Sequence, residues 1–126
     1  MVRQLAFACA LAVGLALVVA APCGAADEPD IVGKYKCEGK FNDNPYTGTV
    51  EISKRGDSYQ ITWVIGKDKD TGTGILDGHI FAVGYEGNNT GVCLYHIEKD
   101  GNKLVGKWVR TEGKGHIHHE TLTKMK

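Results

Sequence analysis

From about residue 32 onward, apolar and polar positions alternate with period two, and turn-forming residues interrupt the alternation about every 8 to 12 positions. No window of ten or more residues carries a 3.6 period, so the chain reads as all-β. The pattern predicts eight strands, at about 32–40, 46–54, 58–66, 71–77, 79–85, 91–98, 103–110 and 116–124. The separators include Asn42-Asp43-Asn44-Pro45, Arg55-Gly56-Asp57, the acidic stretch Lys67 to Asp70, Asp77-Gly78, Gly87-Asn88-Asn89 and Asp100-Gly101-Asn102. Eight short strands with short connections suit a small antiparallel up-and-down barrel, with a small β-sandwich as the runner-up.

An internal repeat supports the hairpins. Ile52-x-Lys54-x-Gly56-x-x-Tyr59-x-x-x-Trp63-Val64 returns 45 positions later as Ile97-x-Lys99-x-Gly101-x-x-Leu104-x-x-x-Trp108-Val109. Even spacing puts each Trp on the face of Tyr59 or Leu104. Val50, Ile52, Ile61, Cys93, Tyr95 and Ile97 join that face, which is assigned to the barrel interior with Trp63 and Trp108 as equivalent positions. Gly66, Gly72, Gly74, Gly84, Gly106, Gly113 and Gly115 fall in or beside strands, where a tightly curved barrel needs bulges and close backbone approach.

The first 26 residues read differently. Arg3 gives a short positive start, Leu5 to Ala21 is almost purely apolar, and Cys23-Gly24-Ala25-Ala26 precedes the acidic Asp27-Glu28-Pro29-Asp30. That is the pattern of a signal peptide over 1–26, leaving one domain over 27–126 that is secreted or periplasmic and free of the membrane after cleavage. Lys and Arg number 15, as do Asp and Glu, and removal of Arg3 leaves an excess of one acidic charge. No basic field for nucleic acid is available. In an exported chain Cys37 and Cys93 are the remaining cysteines and read as one disulfide closing a loop of about 55 residues, worth about 4 kcal/mol by chain entropy. Two buried free thiols are the alternative.

Catalytic signatures are missing from the sequence: there is no G-x-S-x-G, no phosphate-binding glycine loop and no H-E-x-x-H, so the reading is a binding module and not an enzyme. Cys93 and His96 fall on opposite faces of a strand, which argues against a thiolate pair. In a strand, His116, His118 and Glu120 point to one side, and a His-x-His pair at that spacing is a workable chelate for Zn²⁺ or Cu²⁺. Solvated histidines at a polar strand end, with no cofactor, are the plainer reading. Glu120 is in phase with Leu122, and Arg110 with Trp108, so a carboxylate and a guanidinium fall in the barrel or at its mouth, where burial would require them to pair. Trp63, Trp108, Arg110 and Glu120 are therefore the candidate ligand-binding set, against a purely structural pair and core-filling indoles. The partner implied is a protein or a small molecule.

The strings Gly33-x-Tyr35-x-Cys37-Glu38-Gly39, Tyr46-x-Gly48-Thr49-Val50-x-Ile52, Gly56-Asp57-x-Tyr59-x-Ile61-x-Trp63 and Leu104-x-Gly106-x-Trp108, ending in Glu120-x-Leu122, resemble a family of small exported bacterial proteins often labelled fibronectin-binding. That resemblance implies a secreted β-barrel that binds a protein, and the histidines at 116, 118 and 119 depart from the family's pattern. The opening Tyr35-x-Cys37-Glu38 is also similar to the start of C-type lysozyme inhibitors, small periplasmic barrels whose inhibitory loop motifs are not evident here.

Overall fold

The structure is a computed structural model that describes residues 28–126. The expected signal peptide over 1–26, with Cys9 and Cys23, lies outside the described residues. Eight antiparallel strands close into an up-and-down barrel in chain order: β1 (Gly33–Phe41), β2 (Asn44–Arg55), β3 (Ser58–Ile65), β4 (Asp68–Asp77), β5 (Ile80–Gly87), β6 (Gly91–Glu98), β7 (Lys103–Arg110) and β8 (His118–Lys124). Closure comes from β1 pairing with β8, with Cys37 opposite Leu122 and Gly39 opposite Glu120. The sandwich alternative is thereby set aside. Among the described residues no helix is long and apolar enough to cross a membrane.

Turn chemistry sets the hairpin registers. Asn42 and Asp43 both take positive φ (48° and 65°) between paired Phe41 and Asn44, the pattern of a type I′ turn. Gly56, Gly66 and Gly78 each stand first in a two-residue loop with φ near +60° (58°, 60° and 59°), as a type II′ turn requires. One expectation is corrected here. The stretch at 68–70 is not a turn, because Gly66-Lys67 completes the reversal and Asp68, Lys69 and Asp70 pair with Ile65, Val64 and Trp63.

Inward positions form a single apolar core that includes Tyr35, Val50, Ile52, Ile61, Phe81, Tyr95, Leu104 and Leu122. Outward positions are mostly polar, as on β1 (Lys34, Lys36, Glu38 and Lys40), with exposed apolar side chains at Val64, Ile75, Val92 and Leu94. This polar-out, apolar-in arrangement is the reverse of a barrel facing lipid. Four of the five inward tyrosines, all but Tyr35, face a glycine on a neighbouring strand: Tyr46 faces Gly39, Tyr59 faces Gly74, Tyr85 faces Gly91 and Gly72, and Tyr95 faces Gly106. A Cβ on Gly39, Gly91 or Gly106 would run into the ring opposite. The glycines are thus space for aromatic rings, which lets a narrow barrel hold so many of them.

The two ends of the barrel differ. At the end holding the β2–β3, β4–β5 and β6–β7 turns, the segment before β1 folds inward and Ile31 is fully buried. The Tyr35 hydroxyl lies 2.7 Å from Ile31 O and 3.0 Å from Gly101 O, and Lys124 Nζ donates to Asp30 O at 2.9 Å. That end is plugged. The opposite end, ringed by the β1–β2, β3–β4, β5–β6 and β7–β8 connections, is not filled.

The Cys37–Cys93 disulfide is corrected: both cysteines face the core, and both are free thiols. Cys37 lies on β1 and Cys93 on β6, with β8 and β7 between them around the barrel. Three strand spacings of about 4.8 Å carry their backbones well past the Cα separation of about 4.4–6.8 Å that a disulfide tolerates.

Candidate functional site

A cavity of about 160 Å³ occupies the unfilled end. Its wall is aromatic: Phe41 from the end of β1, Tyr46 from β2, Trp63 from β3, Tyr85 from β5 and Trp108 from β7, joined by Ile65 and Cys93. Its polar groups are Asp68, Asp70, Asn89, Arg110 and Glu120. All four residues singled out for ligand binding in the sequence, Trp63, Trp108, Arg110 and Glu120, stand around this one space.

Glu120 lies deep in the wall, 5% exposed, because β8 alternation places it inward with Leu122. Tyr46 donates to Oε1 at 2.8 Å, while Trp63 Nε1 and Tyr95 donate to Oε2 at 3.1 and 2.5 Å. Trp108 Nε1 in turn donates to the Tyr46 hydroxyl at 2.9 Å. An indole is a donor only, so the Tyr46 proton is directed to Glu120 and the carboxylate accepts from every partner it has. Burial, and next the Glu120 charge, hold the Tyr46 and Tyr95 hydroxyls well above the usual tyrosine range.

The expected Arg110–Glu120 pair is not formed. Among the described residues the ion pairs are Lys36–Glu38 and Lys103–Glu98, both on the surface. Neutral O–H and N–H donors satisfy Glu120 instead, and Arg110 stays at the rim with its guanidinium 4.2 Å from the Phe41 ring centre and 5.9 Å from that of Trp108. Arg110 Nε is buried there without a hydrogen-bond partner. Trp108 is also corrected. It is only partly buried and is packed against the core at the mouth, unlike Trp63 at 5% exposure. The repeat holds locally, but its second copy turns through a longer loop with Lys99 and Asp100 at positive φ. Ile97 therefore pairs with Leu104, whereas Ile52 pairs with Ile61 and not with Tyr59.

The histidine set is not assembled as a chelate. β8 begins at His118, leaving His116 exposed before the strand and outside its alternation. The His118 ring packs against Trp108 and Phe41, with centroids at 4.4 and 4.9 Å, while Glu120 points into the barrel, where Tyr46, Trp63 and Tyr95 donate to it. Partial burial, then Arg110 and the neighbouring histidines, lower the His118 pKa from its ordinary value. Among the described residues no three His, Cys, Asp or Glu side chains group to hold a metal ion.

The rim is held by the β5–β6 loop. Asn89 donates its backbone N–H to Asp70 Oδ1 at 2.9 Å and its amide to Oδ2 at 3.3 Å, and Lys69 N donates to Asn88 Oδ1 at 3.0 Å. Asp70, Tyr46, Tyr85 and Phe41 are site residues that the sequence reading missed. A signal existed for two of them: Tyr46 is in phase with Val50 and Ile52, and Tyr85 continues the Phe81-x-Val83 alternation.

No family model matches the chain, and no curated protein matches it. Among solved structures, a chain described as "REP1-NXSQ fatty acid transporter" superposes with a TM-score of 0.54 at 15% sequence identity, covering 77% of this chain and 97% of that one. At that identity the likeness is one of fold: a closed antiparallel β-barrel.

Proposed function

We propose that the barrel is a non-enzymatic binding protein that admits a small ligand with an apolar body through its open end. The cavity carries this reading. A barrel of eight strands can fill its interior with side chains, as this one does below Tyr95, yet above Glu120 it leaves about 160 Å³ lined by five aromatic rings and a few convergent polar groups. The fold likeness to a barrel described as a fatty acid transporter is in keeping with it. This volume falls below the roughly 300–1,000 Å³ of sites for drug-sized ligands, so the occupant is a small molecule or one end of a longer one.

The state of the cavity's one thiol supports the non-enzymatic part. Burial, then the Glu120 charge, push the Cys93 thiol up to about 12, so at neutral pH it is not the thiolate that nucleophilic chemistry needs. Titration with neutral straight-chain alcohols, followed by tryptophan emission, tests the reading because both tryptophans border the cavity. Saturable change that is lost on filling the space with Ile65→Trp is the expected result. A linear, non-saturating response equal in both proteins would contradict it.

A further inference from the structure

We propose that the ligand carries a cationic nitrogen, a protonated amine that seats against Glu120; this rests on the reading of the cavity as a ligand site. Glu120 is a buried carboxylate, and buried carboxylates are normally matched by a cation or a metal. Here no Lys, Arg or His among the described residues comes within ion-pair distance of it. Its O–H and N–H partners are neutral donors, two on Oε2 and one on Oε1, and the Cys37 thiol beside it is neutral as well, so no positive charge on the described chain balances the carboxylate.

The surroundings fit a cation better than an anion. Three carboxylates, Asp68, Asp70 and Glu120, border the cavity against the single guanidinium of Arg110. The wall around Glu120 is made of Tyr46, Trp63, Tyr85 and Trp108, and aromatic rings attract a desolvated cation. A metal ion would need ligands that are not grouped here. A fatty-acid carboxylate reaching the floor would meet Glu120 with no counter-charge between them. Arg110, stacked at the rim with its Nε unpartnered, instead suits a carbonyl or hydroxyl on the outer part of the ligand.

The test is a matched series at about pH 7.5, where an alkylamine is protonated and an alkanoate ionised: hexylamine, 1-hexanol and hexanoate, each titrated into the wild-type protein by calorimetry. We expect the amine to bind about tenfold or more tighter than the alcohol, with hexanoate weakest. In Glu120→Gln the amine and the alcohol should bind alike. Hexanoate binding best, with the advantage lost in Arg110→Gln, would overturn the amine and assign the site to an anion at the rim. An amine no tighter than the alcohol in the wild-type protein would overturn it without any variant. Binding of none of the three would instead remove the ligand-site reading on which the inference stands.

Discussion

Gly106 lies opposite Tyr95 across the β6–β7 pair, and a methyl group on Gly106 would come within 2.5 Å of the Tyr95 ring. The same relation between Gly39 and Tyr46 and between Gly91 and Tyr85 sets all three hydroxyls at the cavity end. Gly106→Ala should therefore cost about 1–3 kcal/mol in urea unfolding, the penalty of overpacking. Gly84 faces outward with open space around its Cβ position. There the same substitution should leave stability unchanged or raise it by up to about 1 kcal/mol. Equal effects at the two positions would contradict the packing described.

Tyr95 and Tyr85 donate to different acceptors, the Glu120 carboxylate and the backbone carbonyl of Val109. Hydrogen bonds to a charged group contribute about 1.5–3 kcal/mol and neutral ones about 0.5–1.5. Tyr95→Phe should lower the unfolding free energy more than Tyr85→Phe. The reverse order would remove Glu120 as the centre of the network.

Cys37 and Cys93 are free and buried, and burial with the Glu120 charge raises both thiols above the usual range. Alkylation mapped by mass spectrometry without reductant should label both positions in denaturant and neither in the native protein at neutral pH. Unlabelled cysteines at 37 and 93 in denaturant would restore the disulfide.

The same shifts make the barrel sensitive to alkali. Folded-state values for Cys37, Cys93, Tyr35, Tyr46 and Tyr95 are all raised, so the folded state keeps protons that the unfolded chain releases above about pH 8.5 for Cys and 10 for Tyr. Stability is then fully present below about pH 8.5 and falls as pH rises toward the folded-state values, Cys93's being about 12. Urea midpoints should be flat from about pH 7 to 8 and fall steadily to about pH 11. A flat profile throughout would contradict the burial of these groups.

Strand number, most hairpin turns and most of the inward face were legible in the sequence because each depends on neighbours in the chain: period-two alternation, and a glycine or Asn-Asp where φ must be positive. What lay beyond it depends on how the sheet closes. Whether Cys37 reaches Cys93, whether Arg110 or Tyr46 meets Glu120, and whether Trp108 is as buried as Trp63 are set by the β1–β8 seam and by which side chains meet across the lumen. Local spacing carries no record of these. Glu120 was placed on the inner face by its phase with Leu122, but its partners come from β2, β3 and β6, the nearest of them 25 positions away.

The claim that the space above Glu120 is a binding site is tested most directly by the indole N–H resonances of Trp63 and Trp108 during an NMR titration with hexylamine and 1-hexanol. Both N–H groups take part in the Glu120 network, one directly and one through Tyr46. Saturable shifts of both, with the amides of the Gly56 and Gly78 turns at the plugged end unmoved, are the expected result. Unmoved indoles, with shifts instead on the outer face around Ile75, Val92 and Leu94, would contradict it.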